Sequence, residues 1–139
     1  MIRAFVLPVE LQAQLMAEAR VAFPRECCGL IAGERRDDAA VAVALHPTRN
    51  LAAERDRFEI DPAAQFRLLR ALRDTGREIV GCYHSHPNGR AEPSSRDLEG
   101  AGEEDFVWLI AALDADAPVA INAFAFDGAG FEALNLVRA

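Results

Sequence analysis

Residues 81–87 read GCYHSHP and close a predicted β-strand over residues 78–86. Side chains alternate between the two faces of a strand, so His84 and His86 project to the same side. Two imidazoles spaced in this way can bind one metal ion together, and Pro87 ends the strand beside them. The His-x-His pattern alone is moderately specific, because two histidines with separate hydrogen-bond partners would give the same pattern. The spacing therefore favours a metal site at a strand end.

The third ligand of such a site has several candidates in the sequence. A mononuclear catalytic zinc site uses three protein ligands and keeps a fourth position for water. The remaining histidine, His46, lies outside the strand, so a carboxylate, a cysteine or His46 can complete the set. Asp97 is the carboxylate with the best defined direction, because the sequence Ser94-Ser95-Arg96-Asp97 begins a predicted helix. The same four residues also fit a Ser-x-x-Asp helix cap, which needs no metal.

The spacing of these residues resembles that of a known family. The pattern His-x-His-Pro, with a serine eight and an aspartate eleven residues beyond the second histidine, is similar to the JAMM motif of the MPN-domain (MPN+) metalloproteases. The segments PRECCGL at residues 24–30 and RFEID at residues 57–61 resemble the compact prokaryotic members. The first of them contains Glu26, at the place of the family's upstream glutamate. The similarity spans roughly residues 2–113, and every motif position is present.

The resemblance implies a role for each motif residue. His84, His86 and Asp97 would bind one Zn²⁺ per chain, with water in the fourth place. Glu26 would take the proton of that water and pass it to the leaving amine. Ser94 would donate a hydrogen bond to the oxyanion of the transition state. Taken without the other motif positions, Glu26 would be an ordinary surface carboxylate after a proline that ends a helix.

The fold class expected from the pattern is α/β, in one domain over residues 1–139. The resemblance implies an MPN-type domain (JAB1/MPN, cytidine deaminase-like) with a central, mixed, curved β-sheet flanked by helices. Strands are predicted at residues 2–7, 27–33, 39–45, 58–60, 78–86, 106–113, 119–126 and 131–137, and a turn at Asp127-Gly128. Helices are predicted over about 15 residues from Pro8, at residues 61–75 and at residues 94–101, and an irregular loop at residues 46–57.

Two of the helices have a predicted inward face. Leu11, Leu15 and Ala19 recur every four residues in the first helix. In the helix of residues 61–75, the apolar residues are predicted to point inward and the basic residues outward. The inward set is Phe66, Leu69 and Leu72, and the outward set is Arg67, Arg70 and Arg73.

Composition excludes several other functions. The net charge of -7, without a basic and aromatic cluster, speaks against nucleic-acid binding. No apolar run approaches the roughly 18 residues of a membrane span, and no signal peptide is recognised at the N-terminus. The three cysteines, Cys27, Cys28 and Cys82, make a poor disulfide framework, so a cytoplasmic protein is expected. Cys28 and Cys82 stand two residues from candidate site residues, and core packing is their expected role.

The resemblance also implies a substrate. It is the peptide or isopeptide bond after the Gly-Gly C-terminus of a ubiquitin-like or sulfur-carrier protein. A narrow groove suits such a tail, because glycine lets a backbone pass close to a metal. Arg49, Arg55 and Arg57 could contact acidic groups of this partner, and self-association into a homo-oligomer stays open.

Three alternatives stand beside this interpretation. A metal-free MPN scaffold that binds a partner without catalysis would have lost ligand positions, and none is lost. A cupin-type metal enzyme would need a further histidine after His86, and none follows. A zinc deaminase would need a Pro-Cys-x-x-Cys pair, which is absent.

Overall fold

The computed structural model describes residues 1–115 and 117–139, and this part of the chain forms eight strands and three helices. The strands are β1 (Ala4–Leu7), β2 (Cys28–Arg36), β3 (Ala39–Thr48), β4 (Glu78–His86), β5 (Val107–Asp114), β6 (Ala117–Phe126), β7 (Phe131–Ala133) and β8 (Asn135–Arg138). The helices are α1 (Val9–Ala22), α2 (Pro62–Leu72) and α3 (Ser95–Gly100).

All strands join one sheet in the order β7-β6-β5-β4-β2-β3-β1-β8. The pairs β4–β5, β1–β3 and β1–β8 are parallel and the other pairs are antiparallel, so the sheet is mixed. Strands β7 and β8 lie at opposite ends of this order although only Leu134 separates them. The sheet therefore curves until its two ends approach each other. The expectation of an α/β fold with a mixed, curved sheet is confirmed.

Leu134 also corrects one predicted strand. The backbone nitrogen of Leu134 donates to the carbonyl oxygen of Ala123 at 2.9 Å, and that of Asn135 donates to the carbonyl oxygen of Arg3 at 2.9 Å. The chain thus changes partner at this point, and the single strand predicted for residues 131–137 is wrong. Alternating side chains look the same in one strand and in two, so the sequence pattern could not show the change.

The two faces of the sheet carry different clusters of buried side chains. On one face Tyr83 packs with Leu15 and Ala19 of α1, which confirms the inward face predicted for that helix. On the other face Cys82 and Trp108 pack with residues of α2. Since side chains alternate along β4, His84 and His86 share the second face with Cys82. This second face carries the candidate site.

Helix α2 begins as predicted but presents a different face to the sheet. The side chain of Asp61 accepts a hydrogen bond from the backbone nitrogen of Ala63, as an N-cap does. The prediction that Phe66 and Leu69 point inward is wrong, because they are 59% and 53% exposed. Leu68 is the buried residue of α2, with Leu72 partly buried beside it. Residues four apart lie on one line of a helix, and this line faces the sheet.

The segment between β3 and α2 also differs from the prediction. Strand β3 continues to Thr48, because His46, Pro47 and Thr48 pair with β2. The strand predicted for residues 58–60 is wrong, since only an isolated bridge between Ile60 and Asn50 forms there. The result is a short closed loop over residues 50–60.

The last hairpin agrees with its predicted turn. The backbone nitrogen of Asp127 donates to the carbonyl oxygen of Gly130 at 2.9 Å. Gly128 has a φ of 97°, a value that glycine adopts without strain. Among the described residues no helix has the length and apolar character that a membrane span requires.

Candidate metal centre

Strand β4 delivers two histidines to one point. His84 is fully buried and His86 is 5% exposed. Their Nε2 atoms lie 3.0 Å apart, so the two side chains point to the same side of the strand, as predicted, and their ring nitrogens meet. Both histidines pair with β5, and His84 also pairs with Cys28 on β2.

Helix α3 brings a carboxylate to the same point. The Oδ2 atom of Asp97 lies 3.2 Å from Nε2 of His84 and 3.3 Å from Nε2 of His86. The capping arrangement weighed from the sequence is present as well, because Ser94 Oγ accepts from the backbone nitrogen of Asp97 at 3.1 Å. Asp97 therefore takes part in the helix cap and contacts both histidines at the same time.

The three converging atoms have the spacing that a small tetrahedral ion needs. Nitrogen and oxygen ligands about 2.0–2.1 Å from Zn²⁺ lie about 3.3 Å from each other. The three edges of the triangle measure 3.0, 3.2 and 3.3 Å. Nδ1 of His86 is 2.8 Å from the carbonyl oxygen of Arg90, which can only accept, so Nδ1 donates and the neutral form of the ring presents the lone pair of Nε2. Two imidazoles and one carboxylate form a donor set suited to zinc.

Two of the three groups, Asp97 and His84, have the charge state that a metal ligand requires. Burial raises the pKa of Asp97, but hydrogen bonds from His84 and His86 outweigh it, and the pKa is held well below its usual range. Burial lowers the pKa of His84, which favours the neutral ring that a metal requires. Burial also lowers the pKa of His86, but its hydrogen bonds to Asp97 and to the Arg90 carbonyl raise it above its usual value. This favours the protonated ring, which must lose the proton on Nε2 before it can bind a metal.

The ring of His84 is enclosed by aromatic residues. Phe58 stacks on it with ring centroids 4.2 Å apart and planes 17° apart. Trp108 approaches it edge-on, with centroids 6.0 Å apart. Among the described residues, Nδ1 of His84 is the one fully buried side-chain polar atom without a hydrogen-bond partner. The Nδ1 side of this ring is therefore held by packing, while its Nε2 faces Asp97 and His86.

Glu26 lies beside the histidine pair, two residues before the start of β2. One carboxylate oxygen of Glu26 and one nitrogen of each histidine all lie within 4.8 Å of one another. Glu26 is only 5% exposed, so the alternative of an ordinary surface carboxylate is wrong. Burial raises its pKa to about 8, against smaller opposing effects such as that of His86. Glu26, His86 and Ser94 line one cleft of about 320 Å³.

Ser94 can act in that cleft while it caps the helix. Its Oγ accepts the hydrogen bond from Asp97, which leaves the hydroxyl hydrogen available to donate. The structure thus brings together all five residues selected from the sequence, which are Glu26, His84, His86, Ser94 and Asp97.

The other candidate ligands lie elsewhere. His46 lines a separate small cavity with residues of α2. Cys82 packs in the apolar cluster, where burial raises its thiol pKa far above the usual range and disfavours the thiolate. Sγ of Cys28 lies 3.4 Å from Oγ1 of Thr48. Of the three arginines predicted to flank a groove, Arg57 lines a cavity next to the site.

That second cavity, of about 370 Å³, lies beside Asp97. Its floor includes Phe58 and Trp108. Asp56 and Arg96 line both this cavity and the cleft, and they form an ion pair at 3.7 Å. A salt bridge between the loop and α3 thus stands where the two spaces meet.

Two supporting residues were missed in the sequence. Ser85, between the histidines, accepts a hydrogen bond at Oγ from the backbone nitrogen of Cys27 at 2.8 Å and so joins β4 to the residue after Glu26. Asn50 donates from Nδ2 to the carbonyl oxygen of Glu26 at 3.0 Å. The position of Ser85 between the two histidines could have indicated its supporting role. Asn50 lies in a polar loop, where no sequence pattern distinguishes it from its neighbours.

Comparison with known proteins identifies the family. The family model described as prokaryotic homologs of the JAB domain matches residues 8–126. The chain belongs to this family. The JAB/MPN resemblance inferred from the motif is therefore confirmed.

Characterised relatives of this JAB-domain chain carry informative names. It is 41% identical over 92 residues to a desampylase of Haloferax volcanii, which is 66% of this chain and 65% of that protein. It is 37% identical over 93 residues to a probable TtuB-protein conjugate cleaving protease of Thermus thermophilus, 66% of this chain and 57% of that protein. It is 31% identical over 110 residues to a CysO-cysteine peptidase of Mycobacterium tuberculosis, 76% of this chain and 70% of that protein. The chain thus matches less than two thirds of the length of the first two relatives.

Solved structures share the architecture of the JAB-domain chain. The solution structure of a protein from Desulfitobacterium hafniense superimposes with a TM-score of 0.86 at 28% identity, over 97% of this chain and 92% of that one. A JAB1/MPN domain protein from Archaeoglobus fulgidus superimposes with a TM-score of 0.56 at 17% identity, over 98% of both chains, which supports the fold alone.

Proposed function

We propose that this chain is a zinc-dependent peptidase or isopeptidase that hydrolyses the bond after the Gly-Gly C-terminus of a ubiquitin-like or sulfur-carrier protein. One observation carries the proposal: the ligand atoms of His84, His86 and Asp97 form a triangle of 3.0 to 3.3 Å edges beside the buried Glu26. The names of the relatives support the substrate class, since all three describe cleavage of a protein or amino-acid conjugate.

In this proposal one Zn²⁺ is bound by His84, His86 and Asp97. A different contact holds each of these side chains in place. Phe58 packs on the ring of His84, the Arg90 carbonyl oxygen orients His86, and the Ser94 cap orients Asp97. When bound, zinc would supply Lewis acidity that lowers the pKa of water from 15.7 to about 7.

Glu26 is the general base of the proposed reaction. Its carboxylate lies within reach of the cleft and near the histidine pair, where it can accept a proton from water and return it to the leaving amine. Burial raises its pKa to about 8, and the positive charge of a bound metal would lower that pKa toward neutrality. A base with a pKa near the working pH is efficient in both directions of transfer, and such catalysis typically contributes about 10²–10⁴-fold.

Ser94 is the proposed donor to the developing oxyanion. Its hydroxyl stays at the N-terminus of α3 because the backbone nitrogen of Asp97 binds its oxygen. The hydroxyl hydrogen is then free to point into the cleft, which Ser94 lines with Glu26. The loss of one such donor typically costs about 2.7–4 kcal/mol of transition-state stabilisation.

The proposed partner approaches as an extended tail. A Gly-Gly tail has no Cβ atoms, so it can enter a cleft that Glu26, His86 and Ser94 line closely. We further propose that residues 1–139 act as one domain, since β1 and β8, from opposite ends of the sequence, pair with each other. The three unpaired cysteines fit a reducing compartment such as the cytoplasm.

Zinc analysis together with a cleavage assay tests the proposal. Zinc content would be measured by mass spectrometry in protein purified without added metal, for the unmodified chain, for His84→Ala and for the control His46→Ala. We expect one zinc per chain in the first and third proteins and none in the second. Equal zinc content in all three would overturn the metal site.

The cleavage assay decides between an enzyme and a scaffold. The zinc-loaded chain would be incubated with ubiquitin-like carriers that bear a C-terminal extension after Gly-Gly, and the products would be weighed by mass spectrometry. Cleavage directly after the second glycine is the expected result. A protein that binds zinc but cleaves none of the carriers would be a binding module, and the proposed activity would fail.

A further inference from the structure

The side chain of Asn50 has all its hydrogen-bonding capacity in use. Its Nδ2 donates to the carbonyl oxygen of Glu26 at 3.0 Å and to that of Arg57 at 2.9 Å. Its Oδ1 accepts from the backbone nitrogens of Ala52 at 2.9 Å and of Glu59 at 3.0 Å. An asparagine side chain has two donor hydrogens and two acceptor lone pairs, so every one is matched.

These bonds tie the loop to Glu26, two residues before β2. Arg57 and Glu59 are held at one end of the loop and Ala52 at the other, and the backbone nitrogen of Leu51 donates to the carbonyl oxygen of Glu59 at 2.9 Å. The bond to Glu26 then joins this closed loop to the segment that carries the buried carboxylate. One amide thus fixes the loop internally and fixes its distance from Glu26.

The loop in turn places Phe58. This residue lies between Arg57 and Glu59, the two positions held by the amide of Asn50. Its ring stacks on His84 at 4.2 Å and meets Trp108 at 5.8 Å with an angle of 74°. Since no hydrogen bond fixes Nδ1 of His84, the stacked ring is a main restraint on that histidine.

We propose that Asn50 is a positioning residue of the hydrolytic site, setting Glu26 through its carbonyl group and His84 through Phe58. The inference rests on the proposed function, because it assigns Asn50 an effect on the proposed base and on one proposed ligand. Displacements of about 1 Å in a catalytic group can cost about 10²-fold in rate, so an anchor shared by both groups matters for turnover.

Neither aspartate nor serine meets the same requirements at this position. Aspartate has the same shape but lacks both donors, so its carboxylate would face the carbonyl oxygens of Glu26 and Arg57. Serine has a single hydroxyl donor and is too short to serve both carbonyl groups. The substitutions Asn50→Asp and Asn50→Ser therefore break the anchor in two ways, one with and one without an added charge.

The first test is steady-state kinetics on a Gly-Gly carrier fusion. Both variants are expected to lower kcat by about 10- to 100-fold while KM changes less and the zinc content stays at one per chain. The control is Asn135→Asp on β8, which adds the same charge three strands away from β2 in the sheet order and should keep the original kcat. A kcat at the original value in both Asn50 variants would overturn the inference.

The second test does not depend on activity. Trp108 is the only tryptophan of the chain, so its fluorescence reports on the packing of Phe58. In both Asn50 variants, acrylamide should quench Trp108 more strongly at a temperature where circular dichroism shows the folded state, whereas Asn135→Asp should match the unmodified chain. Unchanged quenching in both Asn50 variants would also overturn the inference.

The proposed function and the positioning role of Asn50 can fail separately. If the unmodified chain cleaves no Gly-Gly fusion, the proposed function fails. If it cleaves them and the Asn50 variants cleave them equally well, only the positioning role fails.

Discussion

Oδ2 of Asp97 accepts a hydrogen bond from the backbone nitrogen of Ser94 at 2.8 Å and lies 3.2 Å from Nε2 of His84. One carboxylate oxygen therefore both caps a helix and faces the histidines. The cap holds the carboxylate in the direction that the proposed metal site needs before any metal binds.

Replacing this carboxylate should remove the metal. In Asp97→Asn the side chain keeps its size but loses the charge of the proposed ligand. Loss of a residue that only hydrogen-bonds a metal ligand typically lowers metal affinity by about 10–100-fold. We expect a larger fall in zinc affinity here, because Asp97 is a proposed ligand itself. The measurement is competition with a chelator, and Glu99→Gln on the same helix is the control. An unchanged affinity in Asp97→Asn would mean that Asp97 only caps α3.

Replacing the proposed base should separate turnover from metal binding. Glu26→Gln keeps the shape of a side chain that is 5% exposed but cannot accept the proton. We expect kcat to fall by about 10²–10⁴-fold with one zinc per chain retained, because a base moves protons and does not hold the ion. The control is Glu10→Gln on an exposed position of α1. If Glu26→Gln loses zinc and Asp97→Asn keeps it, the two roles are exchanged.

The convergence of His84, His86 and Asp97 was easier to predict from the sequence than the contacts that support these side chains. The shared face of His84 and His86 follows from strand alternation alone, and the helix start around Asp97 follows from Ser94. The burial of Glu26 depends on the pairing of β2 with β4, which brings Cys28 opposite His84 and cannot be read from the neighbours of Glu26.

Long-range contacts explain what else was missed. The bond from Asn50 to Glu26 joins residues 24 positions apart, and no local pattern marks it. The inward face of α2 depends on what it packs against, so its apolar residues alone suggested Phe66 where the structure buries Leu68. Apolar periodicity thus predicts a helix more reliably than its orientation.

A glycine beneath the site should be sensitive to a single methyl group. A Cβ atom on Gly29 would overlap the ring and hydroxyl group of Tyr83, whose oxygen donates to Oε1 of Glu18 at 2.7 Å. Gly29→Ala should therefore lower the free energy of unfolding by about 1–3 kcal/mol, as overpacking does. Urea denaturation measures it. The matched control is Gly102→Ala, where a Cβ has no neighbour within 4 Å, and equal stability of both variants would contradict the overlap.

Alkaline pH should destabilise the fold partly through Cys27. Burial raises the pKa of this thiol from about 9 to about 12, despite a hydrogen bond with Ser85. A pKa that is higher in the folded state favours folding below the unfolded value, so this contribution is lost as the pH rises from about 9 toward 12. Urea denaturation at several pH values should show a smaller alkaline loss in Cys27→Ala than in the unmodified chain. Parallel pH curves for the two proteins would contradict this assignment.

The proposed cleft should discriminate against side chains in the tail. A carrier fusion that ends in Ala-Ala in place of Gly-Gly adds two methyl groups to the tail. Its kcat/KM should be lower by at least about 10–200-fold, the usual effect of a single additional carbon in a tight site. The control fusion carries an alanine substitution on the carrier surface, outside the tail. Equal kcat/KM for the Gly-Gly and Ala-Ala fusions would favour a general peptidase.

Both ends of the strand order belong to one short segment, because β7 and β8 occupy residues 131–138. During synthesis on the ribosome, β1 and β6 would therefore keep an open edge until this segment emerges from the exit tunnel. Unpaired edges and pairings between residues far apart in sequence make folding slow and expose intermediates to aggregation. The pairing of β1 with β8 joins Ala4 to Asn135, so this pairing closes a loop of about 130 residues.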